Sequence, residues 1–153
     1  MKICRDAGRF GSFLAMLVGA SLLLGGCGAS IHYSYDPAAD FKTGKTYSWQ
    51  SGGPANRQGP LIEKTVRYYA DQSLKEKGYT LSSDKPDFIL SMNYESEYSE
   101  PYKLRFLDLY VYRMPGKEPI WQGTAAGTIH ADAASSDLAE AVNRILLNFP
   151  PKR

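Results

Sequence analysis

The chain has 153 residues, of which 43% are hydrophobic and 22% are charged, and its formal net charge is +2. These values fit one globular domain with short appendages and exclude a wholly disordered chain. The near balance of 18 basic and 16 acidic residues excludes the strong positive field on which nucleic-acid binding depends. We therefore predict a single domain that does not bind nucleic acid.

The N-terminus has the layout of a secretory signal. The basic residues Lys2, Arg5 and Arg9 precede an apolar run from Phe10 to Leu24. That run is shorter than the roughly 20 residues that a helix needs to cross a bilayer. An uncleaved membrane anchor is therefore the weaker alternative, and residues 1–26 are predicted to be a signal peptide.

The segment Leu24-Gly25-Gly26-Cys27 resembles the bacterial lipobox, in which two small residues precede the cysteine that receives lipid. A cysteine thiolate is the nucleophile that can accept a diacylglyceryl group. Cys27 is therefore the predicted attachment site of a lipid anchor, whose acyl chains, such as palmitate, would hold the protein on a membrane. Cys4 would leave with the signal, so the mature chain could form no internal disulfide.

Gly28 follows the predicted lipid site. In lipoproteins of the enterobacterial type an aspartate at this position retains the protein in the inner membrane. Gly28 therefore predicts the bacterial outer membrane, with the domain facing the periplasm. Residues 27–40 are mostly small or polar and are predicted to be the lipidated N-terminus and a tether, with a single domain at 41–151.

Two stretches have apolar residues at helical spacing. The first begins at Pro60 and is followed by Gly78, which is typical of a helix end. Its apolar stripe comprises Ile62, Val66, Tyr69, Ala70 and Leu74. The second begins near Asp137 and stops at Pro150. Its stripe comprises Leu138, Val142, Ile145, Leu146 and Phe149.

Other stretches alternate between apolar and polar residues, which predicts strands. They lie near Tyr47, at 79–81, 88–98, 103–113 and 120–131, with a turn at Met114-Pro115-Gly116-Lys117. The predicted order is β-α-β-β-β-β-α. We expect an α+β two-layer sandwich, in which a largely antiparallel sheet of about five strands carries two helices on one face.

The strand at 103–113 is apolar on both faces. Leu107, Leu109 and Val111 share one face, and the other carries Leu104, Phe106, Asp108, Tyr110 and Tyr112. A second apolar face is typical of a central strand or of a surface reserved for a partner. Phe106, Tyr110 and Tyr112 are the candidate interaction surface, since tyrosine is enriched where proteins meet. The alternative is that these side chains only cover the sheet.

Seven short motifs then occur in order along the domain. They are Tyr35-Asp36-Pro37, Ala39-Asp40-Phe41, Tyr47-Ser48-Trp49, Lys77-Gly78-Tyr79, Pro86-Asp87-Phe88, Ile120-Trp121-Gln122-Gly123 and Phe149-Pro150. Together with the lipobox, they resemble a bacterial envelope lipoprotein family catalogued as domain of unknown function 4136, over residues 33–150. The resemblance implies no established activity, so it transfers no catalytic residue.

Few residues could carry catalysis. His32 lies in the predicted tether, where no scaffold would hold it, and His130 ends a strand two residues before Asp132. A strand-turn-helix nucleophile elbow and a second cluster of metal ligands are both missing from the sequence. Glu95, Glu97 and Glu100 could form a carboxylate site, but alternation favours a solvated face. We therefore predict no catalytic, cofactor-binding or metal-binding residue.

Three hypotheses follow. The first is a non-enzymatic, lipid-anchored periplasmic domain that binds another envelope protein. The second is a periplasmic hydrolase or carbohydrate-binding protein that uses His130 or the three glutamates. The third is a structural lipoprotein that serves envelope integrity.

Overall fold

A computed structural model describes residues 28–50 and 59–152, and within these ranges the chain forms six strands and two helices. The elements are β1 (Ser30–Tyr35), β2 (Thr46–Trp49), α1 (Pro60–Glu76), β3 (Thr80–Leu81), β4 (Phe88–Glu97), β5 (Glu100–Arg113), β6 (Glu118–His130) and α2 (Asp137–Leu146). All strands belong to one sheet, in the order β1-β6-β5-β4-β2-β3. The α+β class is thereby confirmed. Neither helix in these ranges has the length and apolar character needed to span a bilayer.

The sheet is mixed, and most of its strand pairings are antiparallel, as predicted. Strands β1, β6, β5 and β4 pair antiparallel, but β2 pairs parallel with both β3 and β4. The helix α1 accounts for this, because a helical crossover returns the chain to the end of the sheet where the preceding strand began.

The sheet has one strand more than the five predicted, because β1 forms within the segment that was predicted to be a tether. The residues of β1 pair antiparallel with β6, from Ser30 opposite Ala126 to Tyr35 opposite Trp121. The side chains of β1 are mostly exposed, so no apolar alternation marks it in the sequence. Backbone hydrogen bonds to β6 hold it at the sheet edge. The signal peptide and Cys27 lie outside the described residues, and those predictions stay predictions.

Both helices use the predicted stripes. Ile62, Val66, Ala70 and Leu74 are buried along α1. The helix is followed by Gly78 at φ +82°, and the Tyr79 amide donates to the Leu74 carbonyl at 3.0 Å. This is the left-handed helix end that glycine permits without a Cβ clash. The predicted helix stop at Gly78 is therefore confirmed.

A carboxylate of α1 also joins the helix to the sheet. Asp71 accepts hydrogen bonds from the Tyr47 hydroxyl at 2.7 Å and from the Trp49 indole at 2.9 Å. Burial, followed by the bond to Asp71, raises the pKa of Tyr47 well above its ordinary value. Arg67 lies over the Trp49 ring, 5.3 Å from its centroid. These contacts place α1 on the same face of the sheet as Tyr47 and Trp49.

One predicted strand face is wrong at a single residue. Leu104 was expected beside Phe106, but it is fully buried and pairs with Ile129. Between Phe106 and Leu104, β5 advances two residues while β4 advances only from Glu95 to Ser96, so β5 carries an extra residue there. An irregularity of this kind moves the alternation by one residue and transfers the side chain to the other face.

Asp87 explains why an aspartate stands just before β4. Its Oδ2 accepts hydrogen bonds from the backbone amides of Lys45 and Thr46 at 2.8 and 2.9 Å, and from the Thr46 hydroxyl at 2.8 Å. These bonds, the Thr46 amide first, lower the pKa of Asp87 below its ordinary value. The carboxylate therefore aligns β2 with β4.

Replacing this carboxylate should cost stability in a pH-dependent way. We expect Asp87→Ala to lower the free energy of unfolding at pH 7 by about 1 kcal/mol, a low value for bonds to a charged group because Asp87 is exposed. A carboxyl group whose pKa is lowered on folding stabilises the fold at pH values above its unfolded-state pKa. This stabilisation is lost as the pH falls through the folded-state pKa. The deficit relative to the natural protein should therefore shrink below pH about 4, as measured by urea unfolding.

Asp84→Ala, in the same loop, is the matched control and should leave stability nearly unchanged at both pH values. An Asp87→Ala deficit that persists undiminished at low pH would contradict the role of the charge.

Candidate interaction surface

The sheet has one face that carries no helix among the described residues, and we call it the open face. Strand alternation and the pairing register place its members. They are His32 and Ser34 of β1, Gln122, Thr124 and Ala126 of β6, Phe106, Asp108, Tyr110 and Tyr112 of β5, and Ile89, Ser91 and Asn93 of β4. The helix-covered face of β5 carries the buried Leu107, Leu109 and Val111, as predicted.

A buried carboxylate organises the centre of the open face. Asp108 is only 8% exposed and accepts a hydrogen bond from the Thr124 hydroxyl at 2.6 Å and a longer one from the Tyr110 hydroxyl at 3.3 Å. Gln122 Nε2 in turn donates to the Tyr110 oxygen at 3.4 Å. Because a buried charge is costly unless hydrogen bonds satisfy it, this network fixes the orientation of the side chains around Tyr110.

The three predicted surface residues all lie on the open face. Phe106, Tyr110 and Tyr112 are each half-buried, and the rings of Tyr110 and Tyr112 stack with centroids 6.3 Å apart. Burial, followed by the negative charge of Asp108, raises the pKa of Tyr110. The stacked tyrosine pair is therefore partly accessible on the open face. That it binds a partner stays a prediction.

The two histidines of the domain have different structural positions. His32 belongs to β1 and is opposite Thr124 in the register, so it stands on the open face and not in a tether. The Nδ1 of His130 lies 2.8 Å from Asp137 Oδ2. The hydrogen bond from His130 lowers the pKa of Asp137. His130 thus joins the end of β6 to the start of α2.

The three candidate glutamates are each paired with a cation of the same hairpin. Glu97 and Glu100 lie 3.3 and 3.4 Å from Lys103 Nζ, and Glu95 lies 3.2 Å from Arg105. In the part of the chain that the structure describes, no group of three or more metal-ligating side chains is arranged to hold an ion. The glutamates contribute a set of exposed ion pairs, which stabilise a hairpin weakly.

The partners of Asp108 are not recognisable from the sequence pattern. Thr124 and Gln122 lie on β6 and meet Asp108 and Tyr110 only through the β5–β6 register. No local signal reports that register, since it depends on the turn at 114–117 and on the register shift between Val111 and Tyr112.

Residues 31–151 match the family described as Domain of unknown function (DUF4136). No curated protein matches the chain. A solved DUF4136 family protein from Bacteroides thetaiotaomicron is 16% identical, with a TM-score of 0.58, and the match covers 80% of this chain and 96% of that one.

Two further solved structures are similar. A PelC dodecamer from Paraburkholderia phytofirmans is 14% identical at a TM-score of 0.56, with 77% of this chain and 94% of that chain covered. A PDZ domain protein from Parabacteroides distasonis is 14% identical at a TM-score of 0.60, with 82% of this chain covered. This chain spans 36% of that protein. At these identities the likeness establishes the fold alone.

Proposed function

We propose that this chain, which belongs to the DUF4136 family of unknown function, is a lipid-anchored envelope protein. Its open face would bind another envelope protein. The observation that carries this proposal is the open face itself. One layer of the domain is a sheet whose second face keeps Phe106, Tyr110 and Tyr112 at the surface. Aromatic side chains in a polar surround are typical of binding interfaces.

The hydrogen-bonded side chains of the open face form a surface that is arranged before a partner binds. Asp108, Thr124 and Gln122 hold the tyrosine pair through hydrogen bonds on the sheet. Side chains that are already fixed lose little conformational entropy when a partner docks. A partner would therefore find the aromatic edge in its binding conformation.

The proposed cellular location of the protein rests on its N-terminal sequence. The signal layout and the lipobox at Leu24 to Cys27 support acylation at Cys27, and Gly28 supports delivery to the outer membrane. Stable anchoring takes more than one acyl chain, at about 0.8 kcal/mol for each buried methylene. The domain would then face the periplasm.

A binding role without catalysis is the part of the proposal that the side-chain contacts support. The imidazole of His130 faces Asp137, and Glu95, Glu97 and Glu100 face Lys103 or Arg105. Each of these groups has a local structural partner. A hydrolase or a carbohydrate-binding protein would need to free them for a substrate.

Site-directed crosslinking in intact cells tests the open face. The mature chain would keep only the acylated Cys27, so an introduced cysteine would be its one reactive thiol. We expect Tyr112→Cys to crosslink to one defined envelope protein, identified by mass spectrometry. Tyr68→Cys, at a more exposed tyrosine of α1 on the other layer, is the matched control and should not.

Two outcomes would overturn parts of the proposal. A Cys27→Ala protein that stays in the membrane fraction would contradict lipid anchoring. Identical capture from Tyr112→Cys and Tyr68→Cys would contradict the open face as the binding surface. Capture of this chain alone would replace the partner by self-assembly, the state in which the solved PelC is found.

A further inference from the structure

The predicted lipid site lies very close to the folded domain. β1 begins at Ser30, and Ala29 already packs against the core. A Cβ added at Gly127 would meet Ala29 Cα at 3.4 Å, an ordinary contact, so residue 29 lies beside β6. Cys27 is two residues earlier, so its Cα can be no more than about 7 Å from that of Ala29. A lipid at Cys27 would leave no flexible tether.

The register identifies which end of the domain this is. Ser30 is opposite Ala126, and the same end of the sheet contains the last residue of β6 and the turn between β4 and β5. The Ala131 amide donates to the Tyr102 carbonyl at 2.7 Å, which brings the β6–α2 loop to the same place. We call this region the anchor end.

The anchor end carries exposed apolar side chains. Tyr98, in the turn between β4 and β5, is fully exposed, while Leu61 is 64% and Tyr102 is 47% exposed. Leu61 and Tyr102 line one cleft of about 400 Å³ together with Ala131, Ala133 and Leu138. Tyrosine and leucine side chains around a mostly apolar cleft expose apolar surface to water. Aromatic rings of this kind are favoured at the headgroup level of a membrane.

Most of the acidic charges near the anchor end are paired locally. Five acidic side chains have partners of opposite sign or an imidazole, while Asp132, which lines the cleft, accepts a hydrogen bond from the Ala134 amide instead. The pairs are Glu95 with Arg105, Glu97 and Glu100 with Lys103, Asp137 with His130, and Glu140 with Arg144. Local pairing leaves a weak field toward a bilayer, because opposite charges a few ångströms apart cancel at longer distance.

We propose that the anchor end rests on the phospholipid bilayer, with Tyr98, Tyr102 and Leu61 at the headgroup level. This inference rests on the lipid anchoring of the proposed function and adds an orientation to it. The sheet would stand away from the membrane, and the turn between β5 and β6 would be its most distant part. A fixed orientation would hold the open face perpendicular to the membrane plane, instead of letting the domain tumble on a tether.

Tryptophan quenching by brominated phospholipids tests the orientation. The chain from Cys27 onward would be coupled through its thiol to a maleimide lipid, in vesicles of phosphatidylethanolamine and phosphatidylglycerol brominated near the headgroup. We expect the added fluorescence of Tyr98→Trp, relative to the unsubstituted protein, to be quenched several-fold more strongly than that of Leu81→Trp. Leu81 is 56% exposed and pairs at the start of β2, at the opposite end of the domain.

Equal quenching at the two positions would overturn the orientation, provided that circular dichroism shows both variants folded. The anchoring itself is read separately, by floating the natural protein with vesicles without chemical coupling. Natural protein that fails to float would contradict lipid anchoring, while the coupled sample still reports which end meets the bilayer.

Discussion

Phe149→Ala should lower the free energy of unfolding by about 3 to 5 kcal/mol, the range for truncating a buried phenylalanine. Phe149 follows α2 and is 1% exposed. Its ring centroid lies 5.3 Å from that of Trp121, 5.5 Å from Tyr79, 6.1 Å from Phe41 and 6.4 Å from Phe88. It is thus the centre of an aromatic cluster.

The size of the effect follows from what surrounds the ring. The four neighbours come from three strands or loops and from the segment after β1, and none can move into the space without leaving its own contacts. Truncation therefore loses both the transfer free energy of the ring and the packing of its neighbours. Urea unfolding followed by tryptophan fluorescence gives the change.

Two further variants serve as comparisons for Phe149→Ala. Phe149→Leu, which keeps most of the volume, should lose clearly less, and Tyr68→Ala on the exposed side of α1 should change stability by no more than about 0.5 kcal/mol. A loss for Phe149→Ala as small as that for Tyr68→Ala would contradict the central place of the ring.

Gly123→Ala should destabilise the domain by about 2 to 3 kcal/mol through overpacking. A Cβ at Gly123 would overlap the Trp121 ring and lie 2.6 Å from Ile145 Cγ2. The Trp121 indole donates to the Asn148 carbonyl at 3.1 Å, and Ile145 is fully buried in α2. Both side chains are buried, so relieving the overlap requires a shift of Trp121 or of α2 against the sheet.

Gly116→Ala is the matched control for Gly123→Ala. A Cβ there would meet Glu118 at 3.5 Å, an ordinary contact. We also expect Ile145→Ala to make Gly123→Ala less costly in the double variant than the sum of the two single effects. Strict additivity, or equal stability of the two glycine variants, would contradict the steric explanation.

Several motifs of the sequence acquire a physical reason in these contacts. Asp87 binds the backbone at the start of β2, Gly78 forms the left-handed end of α1, and Phe149 occupies the centre of the aromatic cluster. Such residues stand out in a sequence because a turn, a cap or a large ring is recognisable by residue type. Their partners are not, since these come from distant parts of the chain.

At the candidate surface, too, some residues could be predicted from the sequence and their partners could not. Alternation along β5 alone placed Phe106, Tyr110 and Tyr112 on one face, because side-chain direction in a strand has a period of two residues. It misplaced Leu104, where β5 carries an extra residue opposite β4. The hydrogen bonds from Thr124 and Gln122 to Asp108 and Tyr110 could not be predicted, because they depend on which residues of β6 stand opposite.

The sequence by itself determined the two helices, the hairpin from β5 to β6 and the α+β class, since each depends on periodicity and turn residues within one segment. Only the tertiary structure decided the edge strand β1, the parallel pairing of β2 and the polar network around Asp108. An exposed edge strand forms through the backbone of its neighbour and needs no apolar pattern of its own. Pairing direction and register likewise depend on where the rest of the chain has already been placed.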